Sequence, residues 1–169
     1  MIVVNPEKYE FRFVGGRFNS YLFETRAGFC YEVVFKPSDY LFEGNEIFKD
    51  KTYEFSILLN DGPEGKLPPL DDRVPFTIAS IFRDFYKLKT DRIIIYICDT
   101  ADMRSKVRYR KFNHWFETYR GFEFYKTDYQ MGADENGNIY LTSIIFSTKN
   151  LNGPYAVLEF IKLMEKYDK

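Results

Sequence analysis

The sequence predicts an α+β domain: a mostly antiparallel sheet of about seven strands with about three helices packed on it, in the order βββ-β-α-β-α-ββ-α. Three observations lead there. The first sixty residues alternate apolar and polar side chains in period two, the mark of strands with one buried face. From Val74 the period lengthens to that of an amphipathic helix, and strands and helices then follow in clusters rather than in strict alternation. A chain of 169 residues, 45% hydrophobic and 29% charged with a formal charge of -1, has the size and composition of one ordinary globular domain, taken as 1–169.

Each element has its own warrant. Tyr9, Phe11 and Phe13 alternate with Glu10 and Arg12 until Gly15-Gly16 breaks the run. Tyr21 and Phe23 form a second run ended by Ala27-Gly28, and Tyr31, Val33 and Phe35 a third ended before Pro37, so the three read as an antiparallel meander. Tyr53, Phe55, Ile57 and Leu59 make a fourth strand, stopped by Asn60-Asp61-Gly62-Pro63. Ile78, Ile81, Phe82 and Phe85 at helical spacing, with Pro75 in the first turn, predict a helix from Val74 to about Leu88. Arg92 to Cys98 is apolar on both faces and reads as a central strand. A helix from about Ala101 to Arg120 stops at Gly121, a C-terminal cap. Phe122 to Met131 and Ile139 to Thr148 are strands joined through Asp134-Glu135-Asn136-Gly137, where Asn-Gly signals a hairpin. Pro154 opens a last helix with Val157, Phe160, Ile161, Met164 and Tyr167 as its apolar stripe. The helices are expected on one face of the sheet.

Composition excludes several classes. No apolar run approaches the roughly 20 residues of a membrane span, so no membrane crossing is expected. No secretory signal is visible at the N-terminus, which makes the cytoplasm the default location. Cys30 and Cys98 read as buried thiols rather than a disulfide. Between Ser38 and Arg73 nine acids stand against four bases, an acidic face whose Asp61–Asp72 part reads as a loop. Aromatic residues make up 20% of the chain, eighteen Phe and fourteen Tyr, which favours an aromatic core and a Tyr-rich surface.

Chemical character concentrates at one junction. Asp99 ends the apolar strand and Asp102 falls in the first turn of the following helix, where unpaired backbone N–H groups and the helix dipole favour negative charge. A helix cap accounts for both acids most simply. Arg104, Arg108, Lys111 and Trp115 project along one line of that helix, flanked by Phe112 and Tyr119, which turns Arg104 and Arg108 toward the aromatic side. Guanidinium groups there need oxygen partners, from the protein as an ion-pair network or from a bound anion. Lys106, Arg110, Asn113 and Glu117 fall on the opposite, solvated side, and His114, the single histidine, at the edge of it. Six bases against two acids between Ala101 and Arg120, mixed with aromatics, suit a phosphate backbone, but the aromatics face the sheet and nucleic acid is not favoured. A P-loop, a Gly-rich dinucleotide turn, His-Glu-x-x-His, Cys-x-x-Cys and the Asp-x-Asp-x-Thr of haloacid-dehalogenase phosphatases are all missing, so no cofactor or metal and no catalytic residue is expected.

The segments Tyr9-Glu-Phe-Arg-Phe-Val-Gly-Gly-Arg-Phe-Asn-Ser-Tyr-Leu-Phe23, Tyr31-Glu-Val-Val-Phe35 and Tyr96-Ile-Cys-Asp-Thr100, continuing through Asp102, Arg104, Arg108, Phe112, Asn113 and Trp115-Phe116, give the chain a resemblance to an uncharacterised family of small bacterial proteins, known mainly from Bacteroidetes and carried as a domain of unknown function. The resemblance spans most of the chain to about Phe146 and implies a stand-alone cytoplasmic protein, with no activity attached.

Abundant Tyr, an acidic loop region and the lack of a complete catalytic constellation point to a non-enzymatic binding module, with a protein partner as the first expectation. The alternative is an enzyme or sensor of a phosphorylated ligand or nucleic acid, with Asp99, Asp102, Arg104 and Arg108 as the ligand- or anion-binding group. Oligomeric state leaves no mark on the pattern.

Overall fold

Seven strands form one sheet in the order β1-β2-β3-β4-β5-β7-β6. In the computed structural model, which describes residues 7–87, 89–98 and 104–169, these are β1 Phe11–Gly15, β2 Ser20–Glu24, β3 Cys30–Pro37, β4 Thr52–Asp61, β5 Ile93–Ile97, β6 Phe124–Gln130 and β7 Leu141–Ser147. The helices are α1 Arg73–Tyr86, α2 Ser105–Tyr119 and α3 Gly153–Tyr167, with a short 3-10 turn at Asp39–Phe42. The order is the expected one. Every strand pair is antiparallel except β4 with β5, which α1 connects as a crossover.

Turn chemistry explains the hairpins. Gly137 sits at φ 79° after a turn opened by Asp134, whose carboxylate accepts the N–H groups of Asn136 and Asn138, and this closes β6 onto β7. Gly121 at φ 57° follows the last turn of α2, as a left-handed cap requires.

The helices do not share one face, a correction to the sequence expectation. Ile93, Ile94 and Ile95 are 0%, 0% and 1% exposed, and consecutive strand residues point to opposite sides, so both faces of β5 must be covered. On one side Ile94 joins Phe35, Phe55, Phe82 and Phe85 under α1, with Phe35 stacked on Phe85 at 3.9 Å between centroids. On the other, Ile93, Ile95 and Ile144 pack against Phe48 and against Ala156, Phe160 and Met164 of α3. Cys98 is buried as expected, whereas Cys30 is only half-buried at the start of β3; both are free thiols. No helix among the described residues is long and apolar enough to cross a membrane.

Candidate functional site

The strand register lines up Phe55 of β4, Tyr96 of β5, Ser143 of β7 and Asp128 of β6 in one row across the sheet. All four project on the α1 side, and α2 lies over them. The row runs from apolar to charged, so the two sides of α2 meet different chemistry.

Over the β4–β5 side there is an open cleft of about 540 Å³. Its floor is Phe55, Tyr96 and Cys98; its α2 wall carries Arg108, Lys111 and Trp115. Phe112 plugs its inner end, 4.2 Å from the Tyr96 ring and 5.6 Å from Phe55. Lys111 Nζ lies 4.9 Å from the Trp115 ring, a cation–π contact that holds the ammonium at the rim. Burial drives the Tyr96 hydroxyl far above its ordinary value, and its hydrogen bond to Cys98 adds to this. Burial likewise pushes the Cys98 thiol up, against opposing contributions from Tyr96 and the Arg108 charge. The sulfur is therefore held as a neutral thiol, a poor nucleophile.

Over the β6–β7 side lies a polar network. Lys126, with a side chain only 5% exposed, pairs with Asp128 and sits 5.8 Å from the Tyr109 ring and 5.7 Å from Phe116. Ser143 Oγ donates to Asp128 Oδ1 at 2.7 Å, and the Tyr109 hydroxyl reaches the same carboxylate. Partial burial raises the Asp128 pKa, but the bonds from Lys126 and Ser143, the Lys126 charge and Tyr109 outweigh it and hold the group below its ordinary 3.8. Burial is the main reason that Tyr109 is pushed up to about 12.

The expected site residues are only partly brought together. Asp99 and Asp102 lie outside the described residues. Arg104 stands exposed at the N-cap of α2, while Arg108 is half-buried and lines the cleft. The buried line of the helix runs through Ser105 and Phe112, roughly a quarter turn round from Arg104 at about 100° per residue. Asn113, expected in solvent, lies inward beside Tyr109, with its Oδ1 buried and no hydrogen-bond donor for it among the described residues. His114, Lys106, Arg110 and Glu117 are exposed as expected. Sequence reasoning missed Lys126, Asp128 and Ser143. The signal was faint: Lys126 and Asp128 alternate with Thr127 on the face that Phe124 shows to be inward, which puts two charges on the buried side of a strand.

An α+β domain with a cationic and aromatic cleft beside a parallel strand pair is the class that this geometry defines. Within it, residues 70–164 match the model of a family of unknown function, DUF6169, and the chain belongs to that family. The match takes in the β5–α2 segment and nearly all of α3, and begins after the meander of β1 to β4. No curated protein and no solved structure matches the chain.

Proposed function

We propose that this protein is a non-enzymatic binding module whose cleft takes a small ligand carrying an anionic group next to a flat ring. One observation carries the reading. The α2 wall sets a guanidinium, an ammonium and an indole, Arg108, Lys111 and Trp115, along a single opening floored by Phe55 and Tyr96. Cationic donors suit a carboxylate or phosphate, and ring faces suit a planar group beside it. Binding is favoured over catalysis because the Cys98 thiol on the floor is kept protonated and His114 lies exposed, outside the cleft lining. Nucleic acid is the weaker reading, since Phe112 is buried under the helix rather than offered for base stacking.

Trp115 is the only tryptophan, so its emission reports on the cleft directly. Titration with nucleoside monophosphates, aromatic carboxylates and inorganic phosphate should quench or shift that emission for ring-bearing anions, with at least tenfold weaker binding in Lys111→Ala. Saturable binding that Lys111→Ala leaves unchanged, or no response to any of these probes, would overturn the proposal.

A further inference from the structure

The loop between β4 and α1 carries Leu67-Pro68-Pro69-Leu70, and its two leucines are 83% and 96% exposed. A leucine left in water forgoes the gain of burial, so two on one short loop ask for a partner surface. Residues 66–71 adopt neither helix nor strand. Each proline holds its own φ near -65° and confines the residue before it to extended or polyproline II backbone, so Leu67, Pro68 and Pro69 are all restricted. On a polyproline II path, with three residues per turn and a rise of about 3.1 Å per residue, Leu67 and Leu70 share one edge roughly 9 Å apart.

The segment hangs between two pinned ends. On the β4 side, Gly62 lies against the Phe29 ring so closely that a Cβ there would come within 2.5 Å of it. Gly65, at φ 70°, follows in a turn that Lys66 N closes on Pro63 O at 3.2 Å. On the α1 side, Asp71 accepts from the Tyr9 hydroxyl at 2.5 Å and from Arg73 N at 3.0 Å. A ligand segment held in shape before it binds loses less entropy on binding. Asp61, Glu64 and Asp72 around it are exposed, with Lys66 the one base among them.

We propose that this loop is a docking ligand for another protein, one that receives polyproline II backbone in a groove lined with aromatic rings and rimmed with basic side chains. The two leucines fill neighbouring pockets of such a groove, the proline pair supplies the rigid backbone between them, and the surrounding carboxylates meet the basic rim. This surface is separate from the α2 cleft.

The test uses the full chain and three purified probes, an SH3, a WW and an EVH1 domain, whose unrelated grooves all take this backbone. At least one should bind in calorimetry. The Leu67→Ala/Leu70→Ala double variant should weaken that binding tenfold or more, Pro68→Gly/Pro69→Gly should weaken it by loss of rigidity, and added salt should weaken it further. Because the leucines touch little, circular dichroism and melting should stay as in the parent. Binding by none of the probes, or binding indifferent to both double variants, overturns the proposal. So does sedimentation showing a parent dimer that Leu67→Ala/Leu70→Ala dissociates, which would make a second copy the occupant.

Discussion

Lys126 and Asp128, two residues apart on the edge strand β6, close an ion pair beneath α2 in which the lysine side chain is 5% exposed and the aspartate side chain 42%. The buried partner is the cation, so removing the anion leaves a charge with little access to water. Asp128→Asn should cost about 2 kcal/mol at neutral pH, below the 3–5 typical of a fully buried pair because the carboxylate is half in solvent.

The same pair sets a pH dependence. Asp128 titrates below its ordinary value in the folded protein, so its contribution is complete above the unfolded-state pKa and is lost as pH falls through the folded-state one. Denaturant melts of parent and Asp128→Asn should differ at pH 7 and converge toward pH 2. A gap that stays constant over that range would show the carboxylate charge to be irrelevant.

Tyrosines govern the alkaline limb. Burial raises Tyr86, Tyr96 and Tyr21 well above the ordinary 10, and Tyr21 is held further by its bond to Asp84 at 2.8 Å. An acid whose folded-state pKa is raised contributes its full stabilisation below its unfolded-state pKa and loses it as pH climbs from there through the folded-state pKa. Phenolate absorbance from these three should therefore appear only together with unfolding. A single smooth titration with the fold intact would refute the assignment.

Gly153 opens α3 with its Cα against the Phe146 ring, where a Cβ would come within 2.5 Å of ring carbon. Alanine is the better helix former by less than about 1 kcal/mol, while forced overpacking typically costs 1–3, so the clash should win. Gly153→Ala should lower the melting temperature by several degrees, and Phe146→Leu should recover part of the loss.

α2 should be the loosest of the three helices. Only Ser105 and Phe112 of it are fully buried, against eight residues of α1. Amide exchange should be faster through 108–116 than through 76–84, and Phe112→Ala, at a cost of about 3 kcal/mol, should widen that difference. Equal protection in both helices would contradict this.

Periodicity reads local structure well because the alternation of Tyr21, Phe23, Tyr31, Val33 and Phe35 and the helical spacing of Ile78, Ile81, Phe82 and Phe85 are properties of single segments. The uninterrupted Ile93-Ile94-Ile95 also held the information that both sheet faces are covered, through burial of consecutive strand residues. The site was harder to read. Arg108, Lys111 and Trp115 do share a line on α2, with Arg104 before it at the N-cap, but a helix with charges interleaved among aromatics does not declare which line faces the sheet. Docking decided that: Phe112 seats against Tyr96 and Phe55, which carries Arg108 and Lys111 to the cleft, Asn113 inward and Arg104 out to solvent.

The sequence by itself determined the order of elements, the turns at Gly121 and Gly137 and the aromatic core, since each follows from dihedral preference or from burial pattern within a few residues. The tertiary structure alone decided that Phe55, Tyr96, Ser143 and Asp128 would stand in one row and that Tyr109 and Lys126 would meet there. Those neighbours come from four strands and a helix, and their alignment is set by strand register, a long-range property in which a shift of one residue turns every side chain to the other face.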